Sequence, residues 1–147
     1  MSHTYSTNLV HCVFSTKGRA DLIPADLQER LHAYLFGTAK NLGIEILALG
    51  STANHIHILM TVPPARPLSY AVRDFKANSS RWMTGHGTPF AWQEGFGAFS
   101  VSPSQVSVVK KYIRSQPEHH KKRNFEEEFL LLLQKSGISY DPKYVFG

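Results

Sequence analysis

Cysteine is almost absent from this chain: there is one, Cys12, inside the apolar stretch LVHCVF. One thiol cannot close an intrachain disulfide, and it excludes any zinc site built on several cysteines. A lone cysteine in such a run is expected to be a small buried core residue. The sequence also has no run of about 18 apolar residues, which excludes a membrane-spanning helix. Its opening, MSHTYSTNLVHC, has no basic segment followed by an apolar one, so no secretory signal is read and a cytoplasmic location is expected. Acid is in deficit, with 11 Asp and Glu against 16 Lys and Arg, a net charge of +5 and a pI near 9.4. That balance favours polyanionic partners, nucleic acid ahead of membrane, because no basic amphipathic helix with an exposed apolar face stands out. No internal repeat and no low-complexity linker is visible. With 147 residues, 42% of them hydrophobic and 18% charged, a single domain over 1–147 with a real core is expected.

The β-branched and aromatic residues of YSTNLVHCVFS, ending at the Lys17-Gly18 turn signal, predict a first strand over Tyr5 to Ser15. Leu27, Leu31, Tyr34, Leu35 and Leu42 recur at helical spacing after Pro24, and Gly43 supplies the stop. Two apolar runs, Ile44 to Gly50 and His55 to Val62, flank a short polar segment and predict an antiparallel hairpin. Leu68, Val72, Phe75 and Trp82 predict a helix ending near Gly85, with Arg73, Lys76 and Arg81 on its exposed face. Phe96 to Val101 reads as a further strand, in which Gly97 marks a bulge or a close approach. The order β-α-β-β-α-β is that of an α+β, ferredoxin-like split βαβ fold. Such a fold has a four-stranded antiparallel sheet, two helices on one face and the other face free.

Past this unit, Ser102, Pro103 and Gln105 form a capping-box signature for a helix with Val108, Val109, Tyr112 and Ile113 as its apolar stripe. Pro117 disfavours helical geometry at Gln116, so that helix is expected to end or kink there. Asn124 and Glu127 make a second capping box ahead of Phe125, Phe129, Leu132 and Leu133, with Gly137 closing the helix. The tail ISYDPKYVFG reads as a short strand or an extended packing segment.

Two histidines at the head of a strand carry the chemistry. In ANHIHILMTV, His55 and His57 project from one face while Ile56 and Ile58 point the other way. Their bland reading is a wetter sheet face. The sharper reading is that two neutral imidazoles hold a divalent metal, with the amide oxygen of Gln116 as a third uncharged ligand. The metal then keeps its charge for polarising a phosphate oxygen. Tyr112 lies one helical turn before Gln116, so its phenol can reach the same place as a nucleophile.

These stretches together resemble a family. NHIHILM, WQEGFGAFSVS at residues 92–102, VVKKYIRSQPEHH at residues 108–120 and HCVFSTKGR at residues 11–19 are similar to the single-tyrosine HUH transposases of small bacterial insertion sequences, the IS-two-hundred type, with their REP-associated relatives. The resemblance spans nearly the whole chain. It implies a tyrosine that attacks single-stranded DNA, forming a 5′-phosphotyrosine link and freeing a 3′-hydroxyl that later rejoins strands. It also implies Tyr112 as nucleophile and His55, His57 and Gln116 as ligands to magnesium or manganese. The implied partners are single-stranded DNA with hairpin ends and a second copy of the chain.

Bland readings stand beside these. Tyr112 on a helix stripe is ordinarily a core aromatic, and Trp92 and Phe96 can pack in the core as well as stack on unpaired bases. Arg73, Lys76, Arg81, Lys110, Lys111, Arg114 and the run Lys121, Lys122, Arg123 are either phosphate contacts or a solvated basic surface. His11, on the first strand, can face the site or the core and is left outside the assignment. One rival function is a non-catalytic single-strand binder on the same sheet, although no RNP1-like run is present. Another is a metal-dependent hydrolase in which water attacks. A domesticated relative acting on chromosomal repeats would use the same chemistry as the transposase.

Overall fold

A computed structural model describes residues 3–119 and 123–146 of the chain. Strand β1 (Leu9–Ser15) leads to helix α1 (Gln28–Leu42), the hairpin β2 (Glu45–Ser51) and β3 (His55–Thr61), helix α2 (Leu68–Gly85) and the short strand β4 (Gly97–Ser100). The strands form one antiparallel sheet in the order β2-β3-β1-β4. This is the expected split βαβ topology, an α+β fold. Three further helices follow: α3 (Val106–Arg114), the short α4 (Gln116–His119) and α5 (Phe125–Lys135).

Alternation along the two central strands divides the interior. Val10, Cys12 and Phe14 of β1 and Ile56, Ile58 and Met60 of β3 join Leu31 and Leu35 of α1 and Val72 and Phe75 of α2 in one apolar core. Cys12 is fully buried there, as expected. The opposite face does not stay free. Val13 and Phe99 pack with Phe125 and Leu133 of α5, and Ala48 and Leu59 pack with Ile113 of α3. The reason is that the C-terminal helices carry apolar stripes of their own, and the second sheet face is the surface that can bury them.

Local signals fare differently at the two ends of the chain. Gly43 closes α1 in the left-handed conformation at φ 70°, and Asn124 caps α5 by accepting from the Glu127 amide at 2.9 Å. At Ser102 the expected cap does not form. Its hydroxyl pairs with that of Ser104, a 3-10 turn spans Pro103–Gln105, and α3 begins at Val106. The first strand begins at Leu9 rather than Tyr5, because its pairing with β3 ends at Leu9↔Thr61. The fourth strand is shorter than Phe96 to Val101, since its ladder with β1 spans Gly97 to Ser100. The described part of the tail forms no strand and serves as a packing segment. It turns after Asp141 and packs Tyr140, Val145 and Phe146 on the α5 cluster.

Candidate active site

The histidines open β3 on the face covered by α3 and α5, and both are fully buried. The wetter-face reading is therefore overturned. Two glycines let the covering helices come close. Gly50 lies opposite His57 in the sheet, and a Cβ there would stand 2.1 Å from the backbone oxygen of Ile113. Gly97 lies opposite Val13, and a Cβ there would meet the Phe129 ring at 2.7 Å. With α3 seated on Gly50, the Tyr112 ring reaches the His57 ring edge-on, 5.7 Å between centroids. After Arg114 the chain turns at Ser115 and resumes as α4, with Gln116 first and Pro117 next. Proline is favourable in a first helical turn, so it re-initiates the helix and leaves Gln116 fully buried against β3.

Four side chains converge. The Gln116 Oε1 lies 3.2 Å from His55 Nε2, and Glu128 Oε1 lies 3.6 Å from His55 Nε2 and 2.8 Å from His57 Nε2. The donor atoms of His55, His57 and Glu128 all fall within 4.8 Å of one another. The outer nitrogens are held as well. His55 Nδ1 sits 2.8 Å from both Asn54 Oδ1 and Thr52 Oγ1, and His57 Nδ1 lies 2.7 Å from His11 Nε2.

The hydrogen bonds fix which atoms face inward. Asn54 donates its amide to the Arg19 carbonyl, so its oxygen is the atom that receives the His55 Nδ1 proton. Gln116 donates to the Tyr112 carbonyl, which turns its oxygen toward His55. An unprotonated His55 Nε2, the Gln116 oxygen and a Glu128 oxygen then point lone pairs at one another. A positive charge between them, a proton or a metal ion, reconciles the three. Two imidazoles, a carboxylate and an amide oxygen suit a divalent metal, and the held Nδ1 atoms are the outer support such ligands need.

Tyr112 bonds through its phenol to Glu128 and Gln116. Burial, and then the Glu128 contact, push its pKa well above the ordinary value, with the Gln116 bond and then Arg123 acting the other way. The phenol is protonated at rest and donates to the Glu128 carboxylate. His11 stacks on His57 at 5.0 Å between centroids. Burial, then the neighbouring His57, hold its imidazole down to about 3. It is therefore neutral near pH 7 and can accept or donate one hydrogen bond toward His57.

His55, His57, Tyr112 and Gln116 are thus brought together within one chain. Two participants escaped the sequence reading. Glu128 lies three residues after Phe125 and four before Leu132, on the apolar stripe of α5, and a carboxylate at a core position was its signal. His11 shares a face with His57 through the Val13↔His57 register, which sequence spacing alone does not give. The basic residues lie elsewhere. Arg73 and Arg81 are exposed on α2, while Lys76 is half-buried and donates to the backbone oxygens of Gln93 and Gly95. Lys111 and Arg114 are exposed on α3 with Lys110 partly covered, and Arg123 is exposed ahead of α5. Lys121 and Lys122 fall outside the described residues. Trp92 packs edge-on against Phe14 and donates to Ser79, so it belongs to the core, whereas Phe96 remains partly exposed. Among the described residues no helix is long and apolar enough to cross a membrane.

A family model described as IS200-like transposase matches residues 4–116. The ISDra2 transposase TnpA of Deinococcus radiodurans is 22% identical over 114 residues, 72% of this chain and 81% of that protein. A crystal structure of a candidate transposase from Deinococcus radiodurans superposes with a TM-score of 0.62 at 21% identity, covering 77% of this chain and 94% of that one. A REP-associated tyrosine transposase bound to a REP hairpin superposes with a TM-score of 0.63 at 17% identity, covering 82% and 73%. At these identities the structural likeness is one of fold. The family match ends at Gln116, so α5 and Glu128 lie beyond it.

Proposed function

The chain belongs to the IS200-like transposase family, and on that premise we propose that it cuts and rejoins single-stranded DNA through Tyr112. The observation that carries the reading is the convergence of His55, His57, Gln116 and Glu128 beside the phenol. In the proposed step the Tyr112 oxygen bonds to the phosphorus of a phosphodiester and the bond to the 3′ oxygen breaks. A 5′-phosphotyrosine link and a 3′-hydroxyl result. Glu128, bonded to the phenol, receives its proton, and the departing 3′ oxygen takes one from water. Attack by another 3′-hydroxyl on the link reverses the step and joins strands.

His55, His57 and Gln116, with Glu128 added, would hold magnesium or manganese. When bound, the ion supplies Lewis-acid stabilisation of the charge that develops on the phosphate oxygens. The protein's part is to aim the ligands, through Asn54 and Thr52 at His55 and through His11 at His57, and to bury them away from water. Exposed Arg73, Arg81, Lys111, Arg114 and Arg123 are proposed phosphate contacts, and binding through them weakens as salt rises. Hairpin DNA ends and a homodimer are proposed from the family resemblance. The tyrosine and the histidines lie on one chain, which supports cleavage without a partner's residues.

The test is the intact mass of the protein after incubation with single-stranded oligonucleotides from the ends of its own locus and magnesium or manganese. The expected result is a DNA-sized increment that requires metal and disappears in Tyr112→Phe, while that variant still binds DNA. An adduct surviving in Tyr112→Phe, or metal-dependent cutting with no adduct, would overturn the assignment and favour attack by water.

A further inference from the structure

We propose that the cavity beside Tyr112, between α3 and α5, seats the nucleobase adjacent to the phosphate that Tyr112 attacks. This rests on the single-strand cleavage reading above. The cavity has a volume of about 230 Å³, with His11 and Tyr112 at its floor, Val109 and Leu132 on its walls, and Arg123 and Lys135 at its rim.

Three observations carry it. First, the walls are apolar and incompletely covered. The run Phe129 to Leu133 is apolar all round, yet Leu133 is the leucine it buries, while Leu131 and Leu132 line the cavity only partly buried, Leu132 with one side against the α5 cluster. On the facing lip Val108, expected in the buried stripe, is 60% exposed. Apolar side chains left partly in water on both sides of a cleft mark a place for a flat apolar surface. Second, the volume falls below the ~300–1,000 Å³ of pockets that enclose whole drug-sized ligands. A single heterocycle fits; an oligonucleotide must pass its backbone along the outside. Third, two cations stand at the rim, where the phosphates flanking a seated base would run. A neutral apolar ligand would have no use for that pair, whereas a nucleotide matches walls and rim together. Because Tyr112 forms part of the floor, the base lodged there brings its own phosphate to the phenol. The Leu132 and Lys135 sides come from α5, beyond the residues that match the family.

The experiment combines an abasic scan with a filled cavity. Oligonucleotides carrying one abasic sugar at each position around the cleavage point are measured for affinity by fluorescence anisotropy, and in parallel for adduct formation. The wild-type protein is expected to lose about 5- to 100-fold in affinity at one position beside the cleaved phosphate, the range of base stacking on protein. Leu132→Trp is expected to lose a similar factor on the intact oligonucleotide and nothing further on that abasic one. Lys135→Ala, which leaves the walls alone, is expected to lower the dependence of log affinity on log salt by about one. A flat abasic series, or Leu132→Trp and Lys135→Ala binding like the parent while the Tyr112 adduct still forms, overturns the base seat alone. An abasic-sensitive site without any adduct overturns the role of Tyr112 and keeps the seat. Loss of both overturns both.

Discussion

Along β1 and β3 the even-numbered and odd-numbered residues live in different chemistry at the same depth. Val10, Cys12, Phe14, Ile56, Ile58 and Met60 are all buried, and so are His11, Val13, His55, His57 and Leu59. The even set meets apolar side chains of α1 and α2. The odd set includes three imidazoles under α3, α4 and α5, each with a partner on its ring nitrogens. A buried apolar side chain stabilises by leaving water, about 1.5–3 kcal/mol for a Val, Leu, Ile, Phe or Met. A buried imidazole gains nothing that way and is tolerated because its polar atoms are bonded. The difference teaches that one sheet, by its period of two, sets a wholly apolar layer against one in which the imidazoles of the candidate site sit between the apolar contacts of Val13 and Leu59.

The strongest way to test that separation is to damage the even face. Phe14→Ala removes a fully buried ring and should cost about 3–5 kcal/mol, read by urea unfolding. The folded protein should still bind manganese within about twofold of the parent by calorimetry. If its affinity collapses with its stability, the faces are coupled and the comparison breaks. Damage to the odd face should do the reverse. His11→Phe keeps a flat ring but offers His57 Nδ1 no partner, and the expected loss of manganese affinity is about 10- to 100-fold, the usual effect of losing an outer-shell support. His11→Gln, whose amide can still bond to Nδ1, should recover most of it. Unchanged affinity in His11→Phe would mean that packing alone orients His57.

Much of this division was legible in the sequence, and the reasons are physical. The alternation of HIHILM puts His55 and His57 on one face whatever the fold, and helical spacing puts Tyr112 and Gln116 on one side of a turn. The family resemblance rests on those same residues. What could not be read depends on long-range placement. His11 enters the site only once β1 pairs with β3 in the observed register, and Glu128 only once α5 folds back over the sheet. The covering of the second face follows from Gly50 and Gly97, whose missing side chains matter because of what they would strike. Gly97 carried a hint of a close approach; Gly50, inside an ordinary strand, carried none. Ser102 shows the converse: its capping signature was present, but a nearby hydroxyl took its place as partner.

The reactivity of Cys12, one residue from His11 and on the other face, reports on the even side alone. Its thiol is fully buried, and burial pushes it up to about 12, with Lys76 acting against the shift. At pH 8.5 the folded protein should therefore hold roughly one thiolate per few thousand molecules, and that thiolate has no path to solvent. Raising the pH to 9.5 leaves the folded thiol still protonated, since both values lie below 12. Iodoacetamide should accordingly modify native Cys12 at least about 100-fold more slowly than the urea-unfolded chain, followed by intact mass. Phe14→Ala, which loosens the same face, should raise the native rate, because reaction then proceeds through opened molecules whose population grows as stability falls. Rapid alkylation of the wild-type protein, with its melting transition still in place, would mean that water reaches the even face. The even face would then no longer be the sealed apolar layer that holds the fold.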